Sequence, residues 1–176
     1  MIFSATPLSG AYLIDIEPAF DVRGFFARTW CVDEFGQHGL EAKLSQCSLS
    51  FNRAKGTLRG MHYQAAPHAE AKVVSCMGGA IYDVIIDLRP TSPTFRQWFG
   101  VELSAENHRL IYIPRNCAHG FLTLQDNSAV YYQSSGRFVS GSARGVRWDD
   151  PAFGIEWPAA PSVILERDRQ YPDFTA

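Results

Sequence analysis

What most constrains this chain is the length and spacing of its apolar runs. They are short, rich in β-branched and aromatic residues, and interrupted by Gly, Pro, Ser and Asn. The runs are Ala11–Ile16, Lys72–Met77, Ala80–Leu88, Trp98–Leu103, Leu110–Ile113, Gly120–Leu124 and Ala129–Ser134. Such runs predict strands, and turns such as Met77-Gly78-Gly79 and Gln125-Asp126-Asn127 predict antiparallel reversals between them. One short helix is predicted, around Cys31–Gln37. No alternation of strand and helix is present, which argues against a Rossmann domain. Many short strands within 176 residues predict a sandwich, a barrel or a jelly roll. No linker, repeat or low-complexity stretch interrupts the chain, so one domain over 1–176 is expected.

Charge and composition exclude several function classes. A net charge of −2 argues against a general nucleic-acid binder or a membrane-surface binder, although a local cluster of Arg and Lys can still hold a phosphate. No apolar run approaches the roughly 20 residues that cross a bilayer. The segment Met1-Ile2-Phe3-Ser4-Ala5-Thr6-Pro7 has no basic stretch followed by a long apolar one, so no signal peptide is expected. Cys31, Cys47, Cys76 and Cys117 are scattered without a CxxC pair, which suits reduced thiols in a cytoplasmic protein.

Three clusters carry residues able to do chemistry. The first is Gly56-Thr57-Leu58-Arg59-Gly60-Met61-His62-Tyr63-Gln64, followed by His68, Glu70 and Lys72. Strict alternation on a strand sends Leu58, Gly60, His62 and Gln64 to one face and Arg59 to the other. A bulge at Gly60 would re-aim Arg59, but the sequence alone does not reveal one. The alternative is a surface His and a satisfied Arg on an edge strand.

The second cluster is Tyr112-Ile113-Pro114-Arg115-Asn116-Cys117-Ala118-His119-Gly120-Phe121. Both clusters resemble cupin motifs. A metal cupin, however, would have His where Gln64 stands, and Gln is a poor ligand for a divalent transition metal. At most His62, His119 and Glu70 could ligate, so no metal is expected.

The third cluster, Ser128-Ala129-Val130-Tyr131-Tyr132-Gln133-Ser134, has adjacent strand tyrosines, of which one points inward. Simple packing is the alternative for either tyrosine. Asp21-Val22-Arg23-Gly24-Phe25-Phe26 sets a cation beside aromatics, able to grip a phosphate and a base ring or merely to form a turn. Near the end, Asp168 is an acid that could sit behind a histidine.

In their joint order these pieces resemble the dTDP-4-dehydrorhamnose 3,5-epimerase family, nearly end to end. The most specific stretch is Leu58-Arg59-Gly60-Met61-His62-Tyr63-Gln64. It is joined by Asp83-x-x-x-Asp87-Leu88-Arg89, Ser92-Pro93-Thr94-Phe95, Ala118-His119-Gly120-Phe121, Trp148-x-Asp150-Pro151 and Ile155-x-Trp157-Pro158. The resemblance implies an all-β, cupin-type double-stranded β-helix, or jelly roll, with a few short peripheral helices. It implies that His62 matches the general base, Asp168 its orienting acid, Lys72 the stabiliser of the enolate oxygen, and Tyr132 the tyrosine on the opposite ring face. It further implies that Arg59, with Arg23 from a neighbouring subunit, contacts the nucleotide phosphates, that Phe26 lies with Arg23, and that Gln46 and His119 line the cavity. Where relatives usually carry an acid near the base, an Asn, a Ser and a second Tyr, this chain has Arg28, Ser48, Leu165 and Phe138.

The physical logic agrees with that resemblance. A proton beside a ketone is weakly acidic, and its removal needs a base poised near neutral pH. The enolate needs a fixed cation or donor. Inversion needs a second proton source on the other face. The expectation is therefore a homodimeric epimerase of a nucleotide-diphosphate 4-keto-6-deoxy sugar, with no cofactor. Open alternatives are a single-centre epimerase or 3,4-ketoisomerase on a dTDP-, CDP- or GDP-sugar, a metal cupin, and a non-catalytic sugar-nucleotide binder.

Overall fold

The computed structural model describes residues 1–175. In chain order the strands are β1 (Ile2–Ala5), β2 (Tyr12–Asp15), β3 (Ala19–Asp21), β4 (Gly24–Phe26), β5 (Gln46–Asn52), β6 (Thr57–Gln64) and β7 (Lys72–Gly78). They continue with β8 (Ala80–Asp87), β9 (Trp98–Ser104), β10 (Leu110–Ile113), β11 (Cys117–Thr123), β12 (Ser128–Ser134), β13 (Ala143–Gly145) and β14 (Val163–Ile164). Two short helices, α1 (Val32–Gln37) and α2 (Glu166–Arg169), lie at the periphery. The helix expected at Cys31–Gln37 is α1, with Cys31 at its N-cap.

Two sheets face one another. The first has the order β1-β2-β10-β7-β12-β5, the second β13-β6-β11-β8-β9, with β14 beside β6. All pairings are antiparallel except β14 with β6. Alternation decides what each strand offers to the space between the sheets. Val74, Cys76, Ile111, Ile113 and Val130 of the first sheet pack there against Ile81, Ile85, Leu103 and Phe121 of the second.

The other residues of the same strands build outer layers. Val84, Ile86 and Ala118 are covered by Phe153 and Trp157, and Val73, Leu110 and Tyr112 by Phe35 of α1. β8 is thus packed on both faces, which is why its sequence is an almost unbroken apolar run. Among the described residues no helix is long and apolar enough to cross a membrane.

Strict alternation fails at one place in β6. His119 of β11 opposes His62, yet Phe121 opposes Arg59, so β6 carries an extra residue between these pairs. This is a β-bulge. It needs two glycines. Gly60 has φ +150°, and a Cβ there would lie 2.6 Å from the Gly120 Cα. A Cβ on Gly120 would in turn lie 2.6 Å from Met61 Sδ and 2.7 Å from the Arg59 carbonyl oxygen. The expectation that Arg59 points away from His62 is therefore corrected: both line one cavity, and Met61 packs in the outer layer instead.

Candidate active site

The inward rows change character at one end of the sandwich. Apolar residues give way to Asp83 on β8, His119 on β11, Tyr132 on β12 and Lys72 on β7. With Ser50, Arg59, His62, Leu165, Arg167 and Asp168 they surround a cavity of about 280 Å³; Asp83 lies behind His119. A second lobe of about 220 Å³ shares His62, Lys72 and Arg167 and adds Glu70, Phe138, Arg144 and Tyr171.

His62, one-third exposed, has its Nε2 2.9 Å from Asp168 Oδ1. Asp168 comes from α2 and is almost fully buried. Its other oxygen accepts from the Gly60 N–H at 3.4 Å, and Arg167 Nε donates to Oδ1 at 3.0 Å. Burial pushes the Asp168 carboxyl up, but the His62 and Arg167 bonds outweigh it and hold the group below its ordinary value. Asp168 is thus ionised and acts as an acceptor only. With Asp168 as the nearer partner, at 2.9 Å against 3.3 Å for Arg167 Nη2, the His62 proton sits on Nε2, which leaves Nδ1 with the lone pair.

A second imidazole–carboxylate pair lies deeper. His119 Nε2 is 2.7 Å from Asp83 Oδ2, with both side chains buried. Asp83 Oδ1 has no hydrogen-bond partner among the described residues. Burial holds the Asp83 carboxyl above its ordinary value, with His119 pulling the other way. Tyr132 stands edge-on to His119, ring centroids 6.0 Å apart. Burial, reinforced by the charge of Asp83 and opposed by Arg59, pushes the Tyr132 phenol well above its ordinary value, so it keeps its proton. Tyr131 points the opposite way, into an outer cavity beneath Phe25.

Lys72 is within 3.3 Å of Glu70. Arg59 Nε donates to Asn52 Oδ1 at 2.7 Å, which fixes the guanidinium in the cavity wall. Gln46 and Ser48 lie on the same β5 row as Ser50, and Gln46 Oε1 accepts from the Phe138 N–H. Ser50, not Ser48, reaches the main cavity.

The expectation that Gln46 lines the cavity is corrected, since Gln46 and Ser48 line neither lobe, and three further expected contacts are not brought together with the rest. Arg23 and Phe26 belong to the β3–β4 hairpin, where Arg23 is bound to Asp21 and Phe26 is 80% exposed. Arg28 is paired with Glu34 at 3.0 Å. None of the three lines either lobe of the chain that carries it.

Gln64, at the metal-cupin position, spends its amide on the backbone. Nε2 donates to the His68 and Arg137 carbonyls, and Oε1 accepts from Val139 N–H at 2.7 Å. Among the described residues, no group of three or more His, Cys, Asp or Glu is placed to hold a metal ion.

The sequence reading missed Asp83 and Arg167 as site residues. Asp83 carried a signal, a carboxylate in the inward row of a strand that is otherwise apolar. Arg167 carried none, because it reaches the site only through the fold of α2.

The family model of dTDP-4-dehydrorhamnose 3,5-epimerase matches residues 5–176. The chain belongs to that family. The family's enzyme from Sinorhizobium fredii is 35% identical over 175 residues, covering 99% of this chain and 90% of the relative. A crystal structure of the Bacillus anthracis enzyme, with TDP and pyrophosphate bound, superposes with a TM-score of 0.94 at 36% identity, covering 98% and 99% of the two chains. A 3′-monoepimerase from Streptomyces bikiniensis, in complex with dTDP-quinovose, superposes at 0.88 with 30% identity over 96% and 85%. The family's cupin-type jelly roll is therefore the fold of this chain. Gly60, His62 and Gly120, which form the bulge in this chain, lie in two of the stretches that resemble the family.

Proposed function

We propose that this member of the epimerase family inverts carbons beside the C4 ketone of a dTDP-linked 4-keto-6-deoxy sugar. The observation that carries the reading is the pairing of a half-open base, His62 backed by ionised Asp168, with a protonated phenol, Tyr132, from the opposing sheet. His62 removes the proton next to the carbonyl. The ammonium of Lys72 stabilises the developing enolate oxygen. Tyr132 delivers its proton to the opposite face of the same carbon. His62 then holds one proton more and Tyr132 one fewer, and exchange with water resets both. Arg59 holds phosphate at the mouth.

The substrate's nucleotide end extends beyond what one chain encloses. The hairpin tip is exposed and apolar, with Phe20 at 75%, Val22 at 104% and Phe26 at 80%. Leu49 and Phe51 on the outer face of β5 are also exposed. A patch of this kind favours association. A homodimer that covers these faces brings Arg23 and Phe26 of one copy to the cavity mouth of the other. Sedimentation at micromolar concentration, with and without Phe26→Asp, tests that assembly.

The activity is tested by incubation with a dTDP-4-keto-6-deoxy sugar in D2O. Deuterium should enter beside the ketone, and Tyr132→Phe should keep this exchange while losing inversion. No exchange in the wild type would overturn the reading.

A further inference from the structure

The acid behind the base is delivered by a helix with little support of its own. α2 has four residues, far below the length at which a helix is stable alone. Its place is set by what flanks it. Upstream, β14 pairs with β6. Downstream comes Tyr171, whose ring lies directly over Gly145 of β13. A Cβ on Gly145 would stand 2.2 Å from Tyr171 Cζ and 2.7 Å from its hydroxyl oxygen. Gly145 is the register partner of His62. The Tyr171 ring thus occupies the space that the cross-strand neighbour of His62 would fill. Its centroid lies 6.3 Å from that of the imidazole, at 71°, within the edge-to-face range of aromatic pairs. Beyond it, the Phe174 N–H donates to Asp150 Oδ2 at 2.6 Å and the Phe174 ring packs on Phe153. The tail is therefore anchored independently of Tyr171.

We propose that Tyr171 is a positioning residue for the base: its ring, seated on Gly145, holds α2 so that Asp168 keeps its hydrogen bond to His62. The inference rests on the reading of His62 as the base. Asp168 acts by fixing the imidazole tautomer. Of the other groups around the ring, Arg167 shares the Asp168 oxygen and brings its Nη2, a second donor, within 3.3 Å of His62 Nε2; Glu70 lines the same lobe but is paired with Lys72, and His119 and Tyr132 face the cavity. None of these replaces Asp168 as an anionic acceptor. Glycine at 145 is needed because any side chain there would displace the ring.

The first test needs no substrate. The ring ¹⁵N shifts of His62, assigned by their loss in His62→Asn, report its tautomer. The wild type should show the Nε2-protonated form. Tyr171→Ala and Gly145→Ala should both show a mixture of tautomers, and Tyr171→Phe should restore the wild-type signal. The second test is solvent deuterium exchange. Tyr171→Ala should lower kcat about tenfold with little change in KM, a part of the full general-base effect, and Tyr171→Phe should recover it. A wild-type tautomer in Tyr171→Ala, or a Tyr171→Phe variant as impaired as Tyr171→Ala, would overturn the proposal. Absence of exchange in the wild type would instead remove the epimerase reading and leave the tautomer result standing.

Discussion

Two imidazole–carboxylate pairs stand side by side on neighbouring strands, and they differ in almost everything except their chemistry. His62 is one-third exposed, and Asp168 has donors on both of its oxygens. His119 and Asp83 are buried, and one Asp83 oxygen lacks a partner. In the first pair hydrogen bonds overcome burial and keep the carboxylate charged. In the second, burial prevails and raises the carboxyl. A group that must take a proton from substrate and return it to water needs the first environment. A fixed wall for Tyr132 suits the second. Position relative to solvent, rather than residue type, separates a base from a scaffold.

The comparison breaks most visibly at the histidines. His62→Ala should reduce solvent deuterium exchange by roughly 100- to 10,000-fold with the fold intact. His119→Ala should reduce it far less and instead lower the unfolding midpoint, since it leaves Asp83 unpaired in the interior. Exchange by NMR and thermal unfolding on both variants check this. Near wild-type exchange in His62→Ala would remove its assignment as base.

Next in size is the bulge that lets Arg59 and His62 share a cavity. Gly120→Ala places a methyl 2.6 Å from Met61 Sδ and 2.8 Å from Gly60 Cα. Two of its three nearest neighbours are backbone atoms that cannot step aside. Overpacking of this kind costs about 1–3 kcal/mol. The expected outcome is a lower urea midpoint together with loss of exchange, because relief of the clash flattens β6 and turns Arg59 or His62 out of the cavity. A variant with unchanged stability and rate would show that the bulge is not held by these glycines.

The carboxylates sharpen the comparison through pH. Asp168 is lowered in the folded state, so it contributes stability above its unfolded pKa of about 3.9, and this is lost as pH falls below that. Asp83 is raised, so folding retains its proton, and its contribution falls as pH rises above about 3.9. Urea midpoints of Asp168→Asn and Asp83→Asn, each against wild type from pH 3 to 7, should therefore diverge with opposite slopes. Asp168→Asn should lose most, relative to wild type, at neutral pH; Asp83→Asn should lose most at acid pH. In turnover, Asp168→Asn should slow exchange by about 10- to 100-fold, a share of the general-base contribution.

Much of this was legible in the sequence, for a physical reason. Alternation required that only one tyrosine of Tyr131-Tyr132 face inward and the family resemblance selected Tyr132, while β-branched runs marked β7, β8, β10 and β12. β5 was not read as a strand because its apolar residues, Cys47, Leu49 and Phe51, occupy the outer face, while Gln46, Ser48, Ser50 and Asn52 face inward. That is the reverse of the usual pattern: the polar row lies on the cavity side and the apolar row is exposed. The bulge was not legible because it depends on contact between Gly60 and Gly120, which are distant in sequence. The separation of Arg23 from the cavity was anticipated by the resemblance, which assigns it to a neighbouring subunit; that of Arg28 was hidden, since motif order does not reveal its pairing with Glu34.

The smallest expected effect is none at all, on removal of divalent metals. Two of the positions that a metal cupin would devote to its ion, Gln64 and Glu70, are committed elsewhere. His62 and His119 each pair Nε2 with a carboxylate, which leaves only Nδ1 of each ring for a ligand bond. Glu70 pairs with Lys72. Gln64, at the position where a ligand would be needed, bonds three backbone groups, and the Val139 N–H and the Arg137 and His68 carbonyls would lose their partner if it turned inward. Each buried group left unsatisfied costs about 1–3 kcal/mol, so recruitment of Gln64 to a metal opposes the fold. In the proposed mechanism the ammonium of Lys72 already serves as the electrostatic stabiliser. Exchange after exhaustive chelation should therefore equal that of the untreated enzyme. The same holds for Gln64→His, which installs an imidazole but breaks the tie to Arg137 and Val139: it should be less stable than wild type and gain no metal-dependent rate. Activity lost on chelation and restored by one divalent metal would overturn this reading.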